Sequence, residues 1–363
     1  MVAPCRLPAP GAIPCRAIFS ENIPSRARRH HTLFAAMQQN FLAALHRKKI
    51  TAAENFFLAR HLRPARRPPI DIAAERAIIR SMITRLGIGL VTRNRRDIVI
   101  NTINRVLDHT LHPVALVVAD DGSQDGTDAM LRDLRHTVIG GPHMGIAWNK
   151  NRALFYLIEI ARCDIVILLE DDTFPTHDGW EREWIVGAAK FGHVGIAASV
   201  PADFILGGAG TPEDPFRATD TSAHCTAFSR EAIMFGGYFE PRFNQGGFEN
   251  VEHSVRLIQH GYGGELVAQA GGLHPQFLLL AGNLNVSHPA SQVSPHALNH
   301  NRDIASTLIG DPGYRRPWRD AAGMTQFRAE IATAFPRINA QLAWRQREYE
   351  AALRSGLAGA EPA

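Results

Sequence analysis

The feature that most constrains this 363-residue chain is a repeated unit in which a short, continuous apolar run ends abruptly in acid. Ala115-Leu116-Val117-Val118-Ala119 runs into Asp120-Asp121, and Ile165-Val166-Ile167-Leu168-Leu169 runs into Glu170-Asp171-Asp172. Apolar runs without alternation suit strands buried on both faces. Segments with helical spacing separate them: Asp97 to His109, Asp125 to Arg135 and Ile146 to Ala161. With Ile88-Gly89-Leu90-Val91 as a first strand and Val138-Ile139 as a third, the alternation predicts an α/β fold. Its sheet is mainly parallel, with helices on both faces. Further on, Trp180 to Phe191 reads as a helix, Val194 to Val200 as a strand, and Phe204 to Thr221 as a Gly/Pro-rich polar loop. Helices are expected again near Arg230, over Val251 to His260 and beyond Asn301.

Ligands of open parallel sheets bind at the carboxyl ends of the strands, near a topological switch point. Acids at two such ends therefore face a crevice, where they repel one another unless a cation or hydrogen-bond donors offset them. A divalent cation bridging a diphosphate meets that need, because Mg²⁺ and Mn²⁺ take oxygen ligands from one or two carboxylates, phosphate and water. Alone, either acidic stretch reads equally well as a turn or a helix cap. Together on one sheet they favour a site.

Four motifs in order carry a resemblance. Leu90-Val91-Thr92-Arg93-Asn94-Arg95 comes first, then Val117-Val118-Ala119-Asp120-Asp121-Gly122-Ser123 with Asp125-Gly126-Thr127. Gly145-Ile146-Ala147-Trp148-Asn149-Lys150-Asn151-Arg152 and Glu170-Asp171-Asp172-Thr173 follow. The set resembles the family 2 glycosyltransferases. The third motif has His143 where the family usually has Asn, and the fourth has Glu at the first position of the family's Asp-x-Asp. The resemblance implies a GT-A, Rossmann-like fold and a donor site for a nucleotide-diphosphate sugar, UDP-sugar preferred. It places Asp120 at the uracil or ribose, with Thr92, Arg95 and Asp121 in the same pocket. Lys150 belongs at the diphosphate, Glu170 at the ribose or a metal-bound water, and Asp172 on a Mn²⁺ or Mg²⁺ ion, with Asn151 and Asp171 as further donor-binding residues.

Downstream, Gly246-Gly247-Phe248-Glu249-Asn250-Val251-Glu252-His253 is similar to the family's Glu-Asp-x-Asp region. It is closer still to the Gly-Glu-Asn-x-Glu segment of polypeptide N-acetylgalactosaminyltransferases. Inverting transfer requires a carboxylate to deprotonate the acceptor hydroxyl. Asn250 stands in the usual Asp place, so the role falls to Glu249, ranked first, or Glu252, and retaining chemistry stays open. Glu252 reads equally well as a first-turn carboxylate facing the helix dipole. The resemblance also implies a histidine that completes the metal site: His288 first, His274 second. His296 and His300 have i, i+4 spacing but lack a third zinc ligand. Trp180 reads as core before acceptor-site wall.

Charge is unevenly spread. Residues 1–86 hold 15 Lys+Arg against 4 Asp+Glu, a net +11, whereas the remainder holds 24 against 31, a net −7. The basic segment suits a solvated helical extension first, and peripheral contact with an anionic membrane second. Without interleaved aromatics, nucleic-acid binding is not expected. The expected organisation is a disordered tail over 1–30 and a basic helical extension with a Pro-rich linker over 31–85. A transferase domain over 86–300 and a C-terminal helical segment over 301–363 follow. Four cysteines without CxxC spacing predict a reducing, cytoplasmic setting. No run approaches the roughly 18 apolar residues that span a bilayer.

The expected activity is thus metal-assisted glycosyl transfer, of the hexosyl or N-acetylhexosaminyl class, from a nucleotide sugar to a glycan, lipid-linked or protein hydroxyl. Two rivals remain: a degenerate, non-catalytic sugar- or partner-binding domain, kept open by Asn250 and Glu170, and a nucleotidyltransferase. The latter normally carries a Gly-rich phosphate loop after its first strand, and Val91-Thr92-Arg93-Asn94 has no glycine cluster.

Overall fold

A computed structural model describes residues 85–269, 272–287, 293–308 and 310–334. The expected tail, basic extension and linker before residue 85 lie outside the described residues, as does the chain after 334.

Strand β1 (Leu86–Thr92) is buried along its whole length, as its uninterrupted apolar run requires. Helix α1 (Arg96–His109) follows, burying Val99, Thr102, Ile103 and Val106 at helical spacing. Then come β2 (Val114–Asp120), α2 (Thr127–Asp133), β3 (Val138–Gly140), α3 (Ile146–Phe155) and β4 (Ile165–Glu170). β1 pairs in parallel with β2 on one side and β4 on the other, and β2 pairs in parallel with β3. The strand order β3-β2-β1-β4 means that the chain leaves β1 in one direction and later crosses back. The switch point therefore lies at β1, where ligands of such sheets bind.

Beyond β4 come β5 (Thr173–Pro175), α4 (Glu181–Phe191), β6 (His193–Ile196), β7 (Ile205–Gly207), β8 (Phe216–Ala218) and β9 (Cys225–Ser229). After α5 (Arg230–Gly236) and α6 (Glu249–Gln259), the strands β10 (Gly264–Gln269), β11 (Gly272–Leu280) and β12 (Leu284–Val286) complete the β structure. The described chain ends with α7 (Pro295–Leu308) and α8 (Ala321–Ala334). This half of the ten-stranded sheet is mixed: β9 is antiparallel to both β4 and β6, while β6 and β11 are parallel. The fold is α/β, with a parallel half that carries the switch point.

Two apolar layers sandwich the sheet. On one face Ile88, Leu90 and Ile167 pack with Val99, Ile103, Trp184 and Ala188. On the other, Val91, Val117 and Ala119 pack with α3 and, beyond it, with Phe327 and Ile331 of α8. Helix α3 is thus covered on both sides, and every residue from Ala147 to Leu154 is buried.

The stretch read as a loop over Phe204–Thr221 is instead a short antiparallel pair at the sheet edge, β7 with β8, with β8 also paired to β11. Its strands are three residues long and surrounded by Gly207, Gly208, Gly210 and Pro215. Three residues are too few to display alternation. The expected strand over Val194–Val200 is shorter, His193–Ile196.

Candidate active site

The pairing register brings the acids together. Thr92 is opposite Asp120, and Val91 is opposite Glu170, so the end of β1 lies between the acidic ends of β2 and β4. The Thr92 hydroxyl donates to Asp171 Oδ2 at 2.7 Å. One nitrogen of Arg95, Nη1, reaches Asp171 Oδ1 at 2.8 Å and Asp172 Oδ2 at 2.9 Å. The Arg95 side chain is still 41% exposed. Burial pushes the Asp171 carboxyl up to about 6 in spite of these donors.

Asp120 is buried and accepts from the Ser123 hydroxyl at 2.5 Å and its amide at 3.2 Å. Burial raises its carboxyl above the ordinary range. Asp121 faces the other way. It accepts from the Met144 amide at 2.8 Å, the Gly145 amide at 3.0 Å and His143 Nδ1 at 2.6 Å. A carboxylate at the N-terminus of α3 suits the helix dipole, so Asp121 anchors that helix. Gly145, at φ 96°, could carry no side chain, because a Cβ there would collide with the backbone of Asn244.

Arg152, two turns further along α3, is fully buried. It donates to Asp121 Oδ1 at 3.3 Å, to the Asp120 carbonyl at 3.1 Å and to Glu330 Oε2 at 3.0 Å. Trp148 Nε1 reaches the same Glu330 oxygen at 2.9 Å. Helix α8 thereby braces the loop that carries Asp120.

Lys150 is buried, with Nζ 3.0 Å from Glu249 Oε1, 3.2 Å from Asn250 Oδ1 and 3.5 Å from Glu170 Oε1. Burial opposes its charge, yet Glu249 and Glu170 hold the amine above its usual value. Conversely, burial would raise Glu170, but Lys150 holds it below the usual carboxylate range. Glu249 also accepts from the Gly247 amide at 2.8 Å. It opens α6 directly after Phe248, whose φ of 69° is costly for a bulky residue. Asn301 of α7 holds this turn, its amide donating to the carbonyls of Gln245, Gly246 and Gly247 at 2.9 to 3.1 Å.

Two expected site residues stand elsewhere. Asn151 is fully buried, and its amide pairs with the Phe239 backbone in both directions at 2.9 Å. Glu252, expected as a catalytic carboxylate, is instead buried in a two-pronged ion pair with Arg256, both contacts at 3.0 Å. Arg256 in turn donates to the carbonyls of Gly236 and Tyr238. With both oxygens on Arg256, Glu252 locks α6 to the preceding segment. Trp180 is a core residue, 1% exposed, donating to Thr110 at 3.0 Å.

Among the described residues, one group has metal-ligand spacing. Ligand atoms of Glu170, Asp172 and His224 lie within 4.8 Å of one another. His224 precedes β9, whose antiparallel pairing with β4 sets the His224 carbonyl on the Glu170 amide at 3.0 Å. Ser222 engages its Nδ1 at 2.7 Å, which leaves Nε2 to ligate. Asp172 Oδ1 is buried and has no hydrogen-bond partner. Burial first, and then Glu170, raise its carboxyl above the ordinary value. An orphaned carboxylate oxygen beside a second carboxylate and an imidazole fits a divalent cation.

His288 lies outside the described residues. Ser287, before it, donates its amide to the Asp172 carbonyl at 2.9 Å. His274 is on β11, opposite Val267 of β10 and outside the group. His296 and His300 are exposed on α7.

Residues 88–205 match the family model for glycosyl transferase family 2. Over that segment the chain resembles glycosyl transferase family 2. The matched segment runs from β1 to the start of β7 and contains the four motifs from Leu90 to Thr173. No curated protein sequence matches the chain. Among solved structures, it is similar to the mannosyltransferase PcManGT from Pyrobaculum calidifontis in complex with GDP-Man and Mn²⁺. There the identity is 14% and the TM-score 0.45, over 92% of this chain and 93% of that one. It is also similar to S. aureus TarS 1–349 in complex with UDP, with 15% identity and TM-score 0.44 over 70% and 74% of the two chains. A third, GalNAc-T7 with UDP, GalNAc and Mn²⁺, shows 15% identity and TM-score 0.42 over 69% and 55%.

Proposed function

We propose that the protein transfers a sugar from a nucleotide diphosphate, UDP preferred, to a hydroxyl acceptor with the help of Mn²⁺ or Mg²⁺. The observation that carries this reading is the convergence of Glu170, Asp172 and His224 beside Asp120 at the switch point of the sheet. Asp172 and His224 would hold the cation, with Glu170 on it directly or through water. His288, the further ligand that the family resemblance implies, lies outside the described residues. The cation supplies stabilisation of the negative charge that builds on the departing diphosphate.

The remaining roles fall to side chains. Asp120, with one carboxylate oxygen held by Ser123, orients the nucleoside. Arg95, part-exposed above Asp171 and Asp172, closes the same pocket. Lys150 offers its charge to the diphosphate from between Glu170 and Glu249. Glu249 takes the proton of an acceptor hydroxyl in this reading, and Asn250 beside it keeps Lys150 in line. The transferase unit is residues 86–300, with α8 bracing it from the C-terminal segment.

Calorimetric titration of UDP, GDP and dTDP, with Mn²⁺ and then with EDTA, tests the reading. One nucleotide is expected to bind, and only with the metal. If none binds under either condition, the degenerate-domain alternative takes its place.

A further inference from the structure

The segment that follows α5 has two sides. Towards α3, the Phe239 ring lies 5.4 Å from Lys150 Nζ, and the Phe239 backbone pairs with Asn151. Away from α3, Glu240, Pro241 and Arg242 form one wall of a cleft of about 400 Å³. Tyr314, Arg315, Arg316, Trp318 and Arg319 form the other. The Arg315 carbonyl accepts from the Tyr238 amide at 2.8 Å, which fixes the two walls together.

The charges lining this cleft do not balance. Arg242 pairs with Glu240 at 3.0 Å, and Arg315 pairs with Asp311 at 2.8 Å and Glu240 at 3.7 Å. Asp320, the next acid along, accepts from the Gly323 amide at 2.8 Å at the start of α8. Arg328 lies over the Trp318 ring at 5.8 Å. Arg316 and Arg319 are exposed, and neither has an ion pair or hydrogen bond among the described residues. Two uncompensated guanidiniums therefore share a concave surface with two aromatic side chains, Tyr314 and Trp318.

We propose that this cleft binds a phosphate group carried by the acceptor. A phosphate monoester brings about two negative charges and three acceptor oxygens, which matches two guanidiniums, each able to donate in a fork. A single carboxylate would leave one of them uncompensated. The aromatic side chains supply faces on which the group esterified to the phosphate can rest. Phe239 and Arg242 are three residues apart, so their α-carbons are separated by at most about 10 Å. A molecule anchored here by phosphate thus has a short path around that segment to the Lys150 side. The assignment to the acceptor rests on the transfer reading; the phosphate chemistry does not.

The probes are phenyl phosphate and inorganic phosphate, titrated in EDTA into the full-length protein and into the double variant R316Q/R319Q. Phenyl phosphate is expected to bind the wild type several-fold more tightly than inorganic phosphate. The double variant is expected to lose roughly tenfold or more of that affinity, with an unchanged unfolding midpoint because both side chains are exposed. Equal affinity of the two proteins for phenyl phosphate overturns the site. Equal affinity of the wild type for the two probes overturns the acceptor assignment and leaves a free-phosphate site. Nucleotide binding with Mn²⁺ is scored separately on both proteins. Its failure in both sinks the transfer reading without touching the phosphate arm, and its loss in the double variant alone shows that the cleft belongs to the donor pocket and overturns the proposal.

Discussion

The Arg152 guanidinium and the Glu330 carboxylate meet at 3.0 Å although 178 positions separate them in the chain. Both are buried, and Arg152 also holds the Asp120 carbonyl and Asp121. Glu330 thus positions, through Arg152, the loop that carries Asp120, to which the proposed function gives the nucleoside. Removing one partner of a buried pair costs about 3 to 5 kcal/mol. Here the lower end is expected for Glu330→Ala, because Asp121 and the carbonyls of Asp120 and Pro142 still face Arg152. Urea unfolding checks the stability loss. Calorimetry of Glu330→Gln is expected to show weaker nucleotide binding with the fold retained.

Asp172→Asn is expected to weaken metal-dependent nucleotide binding by roughly 100-fold or more, since it removes a ligand charge from the cation. Unchanged affinity in the presence of Mn²⁺ would remove Asp172 from the metal site.

His224→Ala is expected to lower Mn²⁺ affinity by at least about tenfold while leaving the fold intact. Manganese titration followed by electron paramagnetic resonance reads this directly. An unaltered titration would reduce the group to Glu170 and Asp172.

Glu249→Gln is expected to keep donor binding within a few-fold and to slow transfer by roughly 10² to 10⁴. A parallel fall in donor affinity would instead make Glu249 only the anchor of Lys150.

Buried His193 gives the fold an acid limit. Its ring accepts or donates between Ser254 at 2.8 Å and the Ala227 carbonyl at 3.2 Å, and it stacks on Phe228. Burial lowers it from 6.5 to about 4. Between those values the unfolded chain takes a proton that the folded one refuses, so stability falls as pH drops from about 6.5 to 4. The loss from this group is roughly 3 kcal/mol. His253, also lowered by burial, adds in the same direction. In stepped-pH urea unfolding, His193→Gln is expected to flatten the slope over this interval.

The parallel half of the fold was legible because its strands read as unbroken apolar runs, two of which end where Asp120 and Glu170 begin. Those acids needed only the parallel register to meet. His224 was not legible. It reaches Glu170 through an antiparallel strand distant in sequence, and in a chain with 17 histidines no local spacing singles it out. Glu330 was hidden for a similar reason, as one carboxylate in a helix without a motif. Glu252 and Asn151 show the converse: side chains that fit a motif by type can be occupied wholly by Arg256 and by the Phe239 backbone.

Lys150 has one consequence for the order of events. It is shared between Glu170 and Glu249, which the proposed transfer reading puts on the donor and the acceptor side. A diphosphate that draws the ammonium towards itself takes it from Glu249, and a carboxylate deprived of its counter-charge becomes a stronger base. The acceptor half is then activated by occupancy of the donor half, which predicts an ordered mechanism in which the nucleotide sugar binds first. A random order in product-inhibition kinetics would show that the two halves act without this electrostatic relay.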